Sequence, residues 1–178
     1  GTLTLGKFAV SAMVSLQPGL KENDIIGIAS ALEQNAEHPI ATGIMQKARE
    51  LSVPVPAIQD FKAITGQGVE ATVEGKQAKI VSPGYLKEKG IAIPESFTSD
   101  TAETTVFVLI DDKIAGYISL SDEIRPESAE AIQTLHANHI KSVLLTGDNK
   151  TVAGSVSKKL GMDNYYAEVL PHQKLEKI

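Results

Sequence analysis

The 178 residues, 42% hydrophobic and 22% charged with the two kinds mixed along the chain, suffice for one ordinary domain or two small ones, and they exclude a disordered polymer. A formal net charge of -5 at pH 7 leaves no basic stripe to neutralise a phosphate backbone, so nucleic acid is not an expected partner. The absence of cysteine excludes a disulfide framework or thiolate metal site, and the longest apolar run, Val106 to Ile110, falls far short of the roughly 20 residues that cross a bilayer.

Lys7 to Ser15 alternates (Phe8, Val10, Ala12, Val14), which predicts a half-buried strand ending in a turn at Pro18 and Gly19. Asn23 or Asp24 is expected to cap the helix that follows, a side-chain oxygen accepting from a first-turn amide, with Ile25, Ile28, Ala29 and Leu32 along one face. Pro39 suits the first position of a second helix, whose inward face is Ile40, Ile44, Ala48 and Leu51. From Ala57 the pattern shortens to strands: Ala57 to Ile64, Val69 to Glu74 and Lys76 to Ser82, the last two joined tightly around Gly75. The polar stretch Lys87 to Thr101 is expected to hold a short helix and a loop, and Thr104 to Ile110 and Ile114 to Leu120 form a hairpin turned at Asp111 and Asp112. Two helices with several meandering strands predict an α+β domain.

After Ser121 the order becomes helix, parallel strand, helix. Pro126 to Ala137 turns Ala129, Ile132 and Leu135 inward, Ser142 to Leu145 reads as a buried parallel strand, and Thr151 to Leu160 is a helix stopped by Gly161. A sheet of this βαβ kind needs a central first strand, whose natural place is before Gly1, so the chain is expected to be truncated at both ends.

Thr146-Gly147-Asp148-Asn149 lies between that strand and helix, where a hydroxyl, a glycine amide and a helix N-terminus can hold a phosphate and Asp148 can face magnesium; the same residues would serve equally as a helix cap and turn. Lys174, in Leu170-Pro171-His172-Gln173-Lys174, offers a point charge to a phosphoryl group, or is a solvated lysine near the end of the chain. Gly66-Gln67-Gly68 lets a ligand approach the backbone closely, or simply makes a tight connection; it neither opens a helix nor reaches the third glycine of a dinucleotide fingerprint. Glu33 and His38 flank the junction of the helical pair, where an imidazole can stack on a ring and a carboxylate can accept from an exocyclic amine, while a histidine there would also cap the helix. His136 and His139 have no third ligand in view and read as a solvated helix end.

Taken in order, Gly1-Thr2-Leu3-Thr4, Glu37-His38-Pro39, Gly66-x-Gly68, Thr146-Gly147-Asp148-Asn149 and Leu170-Pro171-x-x-Lys174 resemble the large cytoplasmic loop of heavy-metal P-type ATPases over essentially the whole chain. In that family the first four residues are the tail of an Asp-Lys-Thr-Gly-Thr-Leu-Thr signature, and Ile80-Val81-Ser82-Pro83-Gly84-Tyr85-Leu86 is most similar to the CopB-type copper pumps. The resemblance implies an α+β nucleotide-binding domain at 7–120, a twisted antiparallel sheet flanked by helices. It would be inserted in a partial α/β, haloacid-dehalogenase-like phosphorylation domain at 1–6 and 121–178.

It also implies that Glu33 and His38 contact or orient adenine, that Gly66, Gly68 and Gly84 let the nucleotide lie against the sheet, and that Tyr85 departs from the asparagine found after that last glycine in many relatives. Thr2, Thr146 and Lys174 would hold the transferred phosphoryl group, with Asp148 arranging it and Gly147 and Asn149 completing the loop. ATP and Mg²⁺ are then the cofactors, and the partners are ATP or ADP and the transmembrane and actuator domains of the same polypeptide, on the cytoplasmic face of a membrane. The transported metal, copper or another heavy-metal cation, would not bind here. Lacking the nucleophilic aspartate, the chain is expected to bind nucleotide without turning it over. The rival readings are a free-standing haloacid-dehalogenase phosphatase, which needs its own Asp-x-Asp-x-Thr strand, and a non-catalytic nucleotide-sensing or interaction domain.

Overall fold

The structure, a computed structural model, describes residues 2–95, 97 and 103–169. Gly1, Lys174 and most of the second half of the polar stretch 87–101 therefore lie outside the described residues.

The chain divides into two compact units, one of residues 7–99 and 104–121, the other of residues 1–6, 100–103 and 122–178. The first is built on a six-stranded sheet in the order β1-β6-β5-β4-β3-β2: β1 Thr4–Ser15, β2 Ile58–Ile64, β3 Gly68–Val73, β4 Lys76–Val81, β5 Thr104–Ile110 and β6 Lys113–Ile124. From β2 to β6 each strand pairs antiparallel with the next in sequence. Two hairpin tips explain that simple meander. Glu74 and Gly75 (φ 49° and 78°) and Asp111 and Asp112 (φ 49° and 60°) take the left-handed conformations of turns that match strand twist. The outermost strand β2 shifts register between Gln59 and Lys62 around Asp60 (φ 55°), a bulge with a charge that keeps the edge from pairing further.

Helices α1 (Glu22–Glu33) and α2 (Pro39–Glu50) cover one face of this sheet. Ile25, Ile26, Ala29, Leu32, Ile44 and Ala48 pack there with Ala71, Val73, Ala78, Ile80, Val108, Ile118 and Leu120, forming the main core. The expected cap of α1 needs correction. Asp24 stands inside the first turn and its carboxylate accepts from the amide of Lys21 at 2.7 Å, so it serves the chain entering the helix rather than an orphan amide within it. Leu51, expected on the inward face of α2, is 40% exposed because it already lies past the helix end.

On the opposite face, α3 (Pro83–Glu88) buries Tyr85 and Leu86 against Val81, Phe107 and Leu109, and Phe97 meets the rings of Phe107 and Tyr117 edge-on at 5.2 and 5.0 Å. A short helix was expected after Lys87; it comes before, because Pro83 fixes the first turn and Gly90, at φ 67°, ends the segment. Lys79 of β4 is buried under this layer, with its ammonium 2.7 Å from Asp112 Oδ1, 3.5 Å from Glu70 Oε2 and 3.3 Å from the Tyr85 hydroxyl. Burial alone would lower its pKa; the bonds to Asp112 and Tyr85 outweigh that and raise it.

The second unit holds α4 (Pro126–Ala137), β7 (Val143–Leu145), α5 (Lys150–Leu160) and β8 (Asn164–Tyr166). β7 and β8 pair in parallel, Val143 opposite Asn164 and Leu145 opposite Tyr166, as the helix-strand-helix order predicted. β7 is less buried than expected: Val143 is 48% exposed, since among the described residues its sheet has two strands and one neighbour cannot cover both faces. Gly161, at φ 67°, ends α5 in the left-handed conformation expected of it. His136 is not a merely solvated helix end. Its Nε2 lies 3.1 Å from Ser142 Oγ and 3.0 Å from Asp163 Oδ2, and Asp163 also accepts from the Ser142 amide at 2.7 Å, which joins α4, β7 and the approach to β8. These bonds, the Ser142 amide foremost, hold the Asp163 carboxyl below its ordinary range.

Candidate functional site

His38 occupies the N-cap of α2, directly before Pro39, and its Nδ1 accepts from the Ala41 amide at 3.2 Å. A neutral ring that accepts through Nδ1 carries its proton on Nε2. That nitrogen stands 3.2 Å from Glu33 Oε2, whose side chain is 7% exposed while that of His38 is 52% exposed. The two groups are close enough for an ion pair, and the Glu33 oxygen that faces the ring is itself buried. Burial pushes the Glu33 carboxyl above its ordinary value, against the opposing effect of His38. The result is an imidazole held through Nδ1 with its side chain half exposed, beside a buried carboxylate that is costly to keep charged.

Gly66 and Gly68 lie in the turn from β2 to β3 and are glycines for different reasons. Gly66 has φ 68°, and a Cβ there would meet nothing within 4 Å. At Gly68, with φ 150°, a Cβ would stand 2.0 Å from the carbonyl oxygen of Ile80, so close pairing of β3 with β4 already requires glycine. Gly84, in α3, has neither reason, since its nearest neighbour would be Ser82 Oγ at 3.6 Å. A cleft of about 330 Å³ in the same unit, lined by Leu20, Gly27, Val53 and Pro54 among others, includes none of these glycines, Glu33 or His38.

In the second unit a cleft of about 230 Å³ brings Thr2, Thr146 and Asp148 together, with Leu3, Leu144 and Val156 among its walls. Thr2 is carried there by the start of the chain, which Arg125 holds through its amide to the Leu3 carbonyl at 3.0 Å and its Nε to the Thr4 carbonyl at 3.1 Å. The hydroxyl of Thr146 donates to Asp148 Oδ2 at 2.7 Å, and the Asp148 carbonyl accepts from Glu168 at 2.8 Å. Asn149 is the N-cap of α5, its Oδ1 accepting from Thr151 and Val152 at 3.1 and 2.9 Å, so its carbonyl serves the helix. Gly147 lies between Thr146 and Asp148, with the Val169 carbonyl 3.6 Å from where a Cβ would be. Sequence reasoning missed Arg125, Ser142 and Asp163; their partners are distant in sequence and nothing local marks them.

An antiparallel α+β unit set into a chain that then turns to parallel α/β structure, with a Thr-Gly-Asp loop at the carboxyl end of a strand, defines a class, and the chain belongs to it: the haloacid dehalogenase-like hydrolases match over residues 1–177. Within that class its relatives are heavy-metal P-type ATPases. The chain is 44% identical over 180 residues to the copper-exporting P-type ATPase B of Archaeoglobus fulgidus, covering 100% of this chain and 26% of that protein. It is 39% identical to the copper-exporting P-type ATPase B of Enterococcus hirae, covering 98% of this chain and 24% of that one. The crystal structure of a zinc-transporting PIB-type ATPase in the E2.Pi state superposes on 100% of the chain with TM-score 0.84 and 32% identity, over 29% of its own length. The chain thus spans about a quarter of the curated relatives it matches. The resemblance and fold class read from the motifs are borne out.

Proposed function

We propose that the chain is the ATP-handling part of a P-type ATPase that couples ATP hydrolysis, through an aspartyl phosphate, to transport of copper or another heavy-metal cation across a membrane. On this reading residues 7–120 are the nucleotide-binding domain, and 1–6 with 121–178 belong to the phosphorylation domain. The observation that carries it is His38, fixed at Nδ1 by Ala41 and facing Glu33 with Nε2 while its ring remains half exposed. A ring so held offers its half-exposed side to adenine at little entropic cost, with Glu33 behind it orienting the imidazole.

Gly66, Gly68 and Gly84 lie along the nucleotide. Thr2, Thr146 and Lys174 hold the phosphoryl group being transferred, the Gly147 amide and the start of α5 behind Asn149 add donors, and Asp148 arranges the group. Magnesium would be held with the nucleotide through Asp148. It would supply charge neutralisation to the phosphoryl group that Thr2 and Thr146 hold.

The copper assignment is supported by the names of the two curated relatives, while the zinc transporter at 32% identity leaves the cation class broader. On this reading the transmembrane and actuator domains are partners elsewhere in the polypeptide and this part works on the cytoplasmic face; no helix of the described residues is long and apolar enough to cross a membrane. Calorimetric titration with ATP, ADP and AMP, each with and without magnesium, tests the assignment. Binding at about -4 to -8 kcal/mol, weakened in His38→Gln, is expected; no binding of any nucleotide would overturn it.

A further inference from the structure

We propose that Glu88 is a positioning residue for nucleotide binding, acting through Gln67 to hold the Gly66–Gly68 turn in its receiving shape. The inference rests on the assignment of that turn to the nucleotide. Gln67 is anchored at three points: its amide donates to the Ile64 carbonyl at 2.9 Å, its carbonyl accepts from the Ser82 amide at 2.8 Å, and its side-chain Nε2 donates to Glu88 Oε2. Next to it Gly68 is wedged against β4, while Gly66 stands open. The turn is therefore one free corner between two fixed points.

Both anchors outside the turn flank or end α3: Ser82 precedes it and Glu88 is its last residue. α3 is itself immobilised, with Leu86 0% and Tyr85 5% exposed in the apolar cluster on that face of the sheet. Glu88 thus stands on a rigid element, whereas Gln67 stands on a turn whose outer side is solvent. The tether fixes the turn, and not the reverse. Without it the two backbone bonds of Gln67 remain, but the corner samples more conformations, and binding must restore the order that Glu88 had supplied. Gly84 lies on the same helix, so one element presents a backbone contact and steadies another.

ATP titration of the 178-residue chain and four variants tests this. Glu88→Ala and Gln67→Ala should each weaken ATP binding about three- to ten-fold, the worth of one hydrogen bond. The double variant should be no weaker than either single one, since both remove the same contact. Glu88→Gln, which keeps the acceptor, should bind within about two-fold of wild type. Urea midpoints should hardly change, the pair being at the surface. Unchanged or tighter binding by Glu88→Ala, additive losses in the double variant, or a loss that Glu88→Gln does not rescue would each overturn the proposal. If wild type binds ATP and His38→Gln weakens it while Glu88→Ala does not, this proposal alone fails; if wild type binds no ATP, the site assignment fails and takes this one with it.

Discussion

Gly66 and Gly68 look alike in the sequence and differ at the level of single atoms. A methyl group at Gly68 would lie 2.0 Å from the Ile80 carbonyl oxygen, so Gly68→Ala is expected to lose about 2 kcal/mol or more of stability in a urea melt. Gly66→Ala meets no neighbour and carries only left-handed strain, about 1 kcal/mol, and it is the variant whose nucleotide affinity can be read cleanly. Glu33 allows a signed pH prediction. Its folded pKa is raised above 4.5 by burial, so the native state holds its proton longer than the unfolded chain does. Wild type therefore loses stability as pH rises from about 4.5 through the raised value, and Glu33→Gln, which cannot ionise, should gain relative to it over that window in paired denaturation curves. The opposite slope would mean that His38 and not burial governs the pair.

At the scale of elements, β4 and α5 each depend on one polar residue. Lys79 sits in the sheet with Asp112, Glu70 and Tyr85 around its ammonium, and removing it takes the shared cation from both carboxylates. Lys79→Ala should cost about 1 to 2 kcal/mol, measured by urea denaturation, and added salt should recover part of it, because Asp112, left without its cation, is 62% exposed and screened. The raised pKa of Lys79 makes its contribution complete below the ordinary lysine value of 10.5 and lost only above it, so this cost should be flat across neutral pH. Asn149 caps α5 through two amides, and Asn149→Ala should cost about 1 kcal/mol, read as faster amide exchange in the first turn of α5. Asp163, whose pKa is lowered, lends its stability above the ordinary value of 3.8 and loses it as pH falls below.

On the scale of the whole molecule, the proposed chemistry needs a nucleophilic aspartate that the 178 residues do not contain in the required signature, so labelled ATP should leave no acid-stable phosphate on the purified chain. Much of the architecture was legible beforehand because it is local. Alternation in Phe8 to Val14, helical spacing from Ile25 to Leu32, Pro39 at a helix start and Gly161 at a helix stop all act over a few residues, and the structure has the elements they predict. The order of short motifs carried the family for the same reason, since each is a local backbone requirement. What only the tertiary structure decided was which groups meet. Glycine at 68 is demanded by a strand 12 residues further on, Lys79 finds Asp112 across two strands, and Arg125 holds carbonyls at Leu3 and Thr4 from 121 or more residues away. No window along a sequence contains such pairs: their energy comes from long-range closure of the chain, whose entropic cost is met by the collective burial of the core and not by either partner.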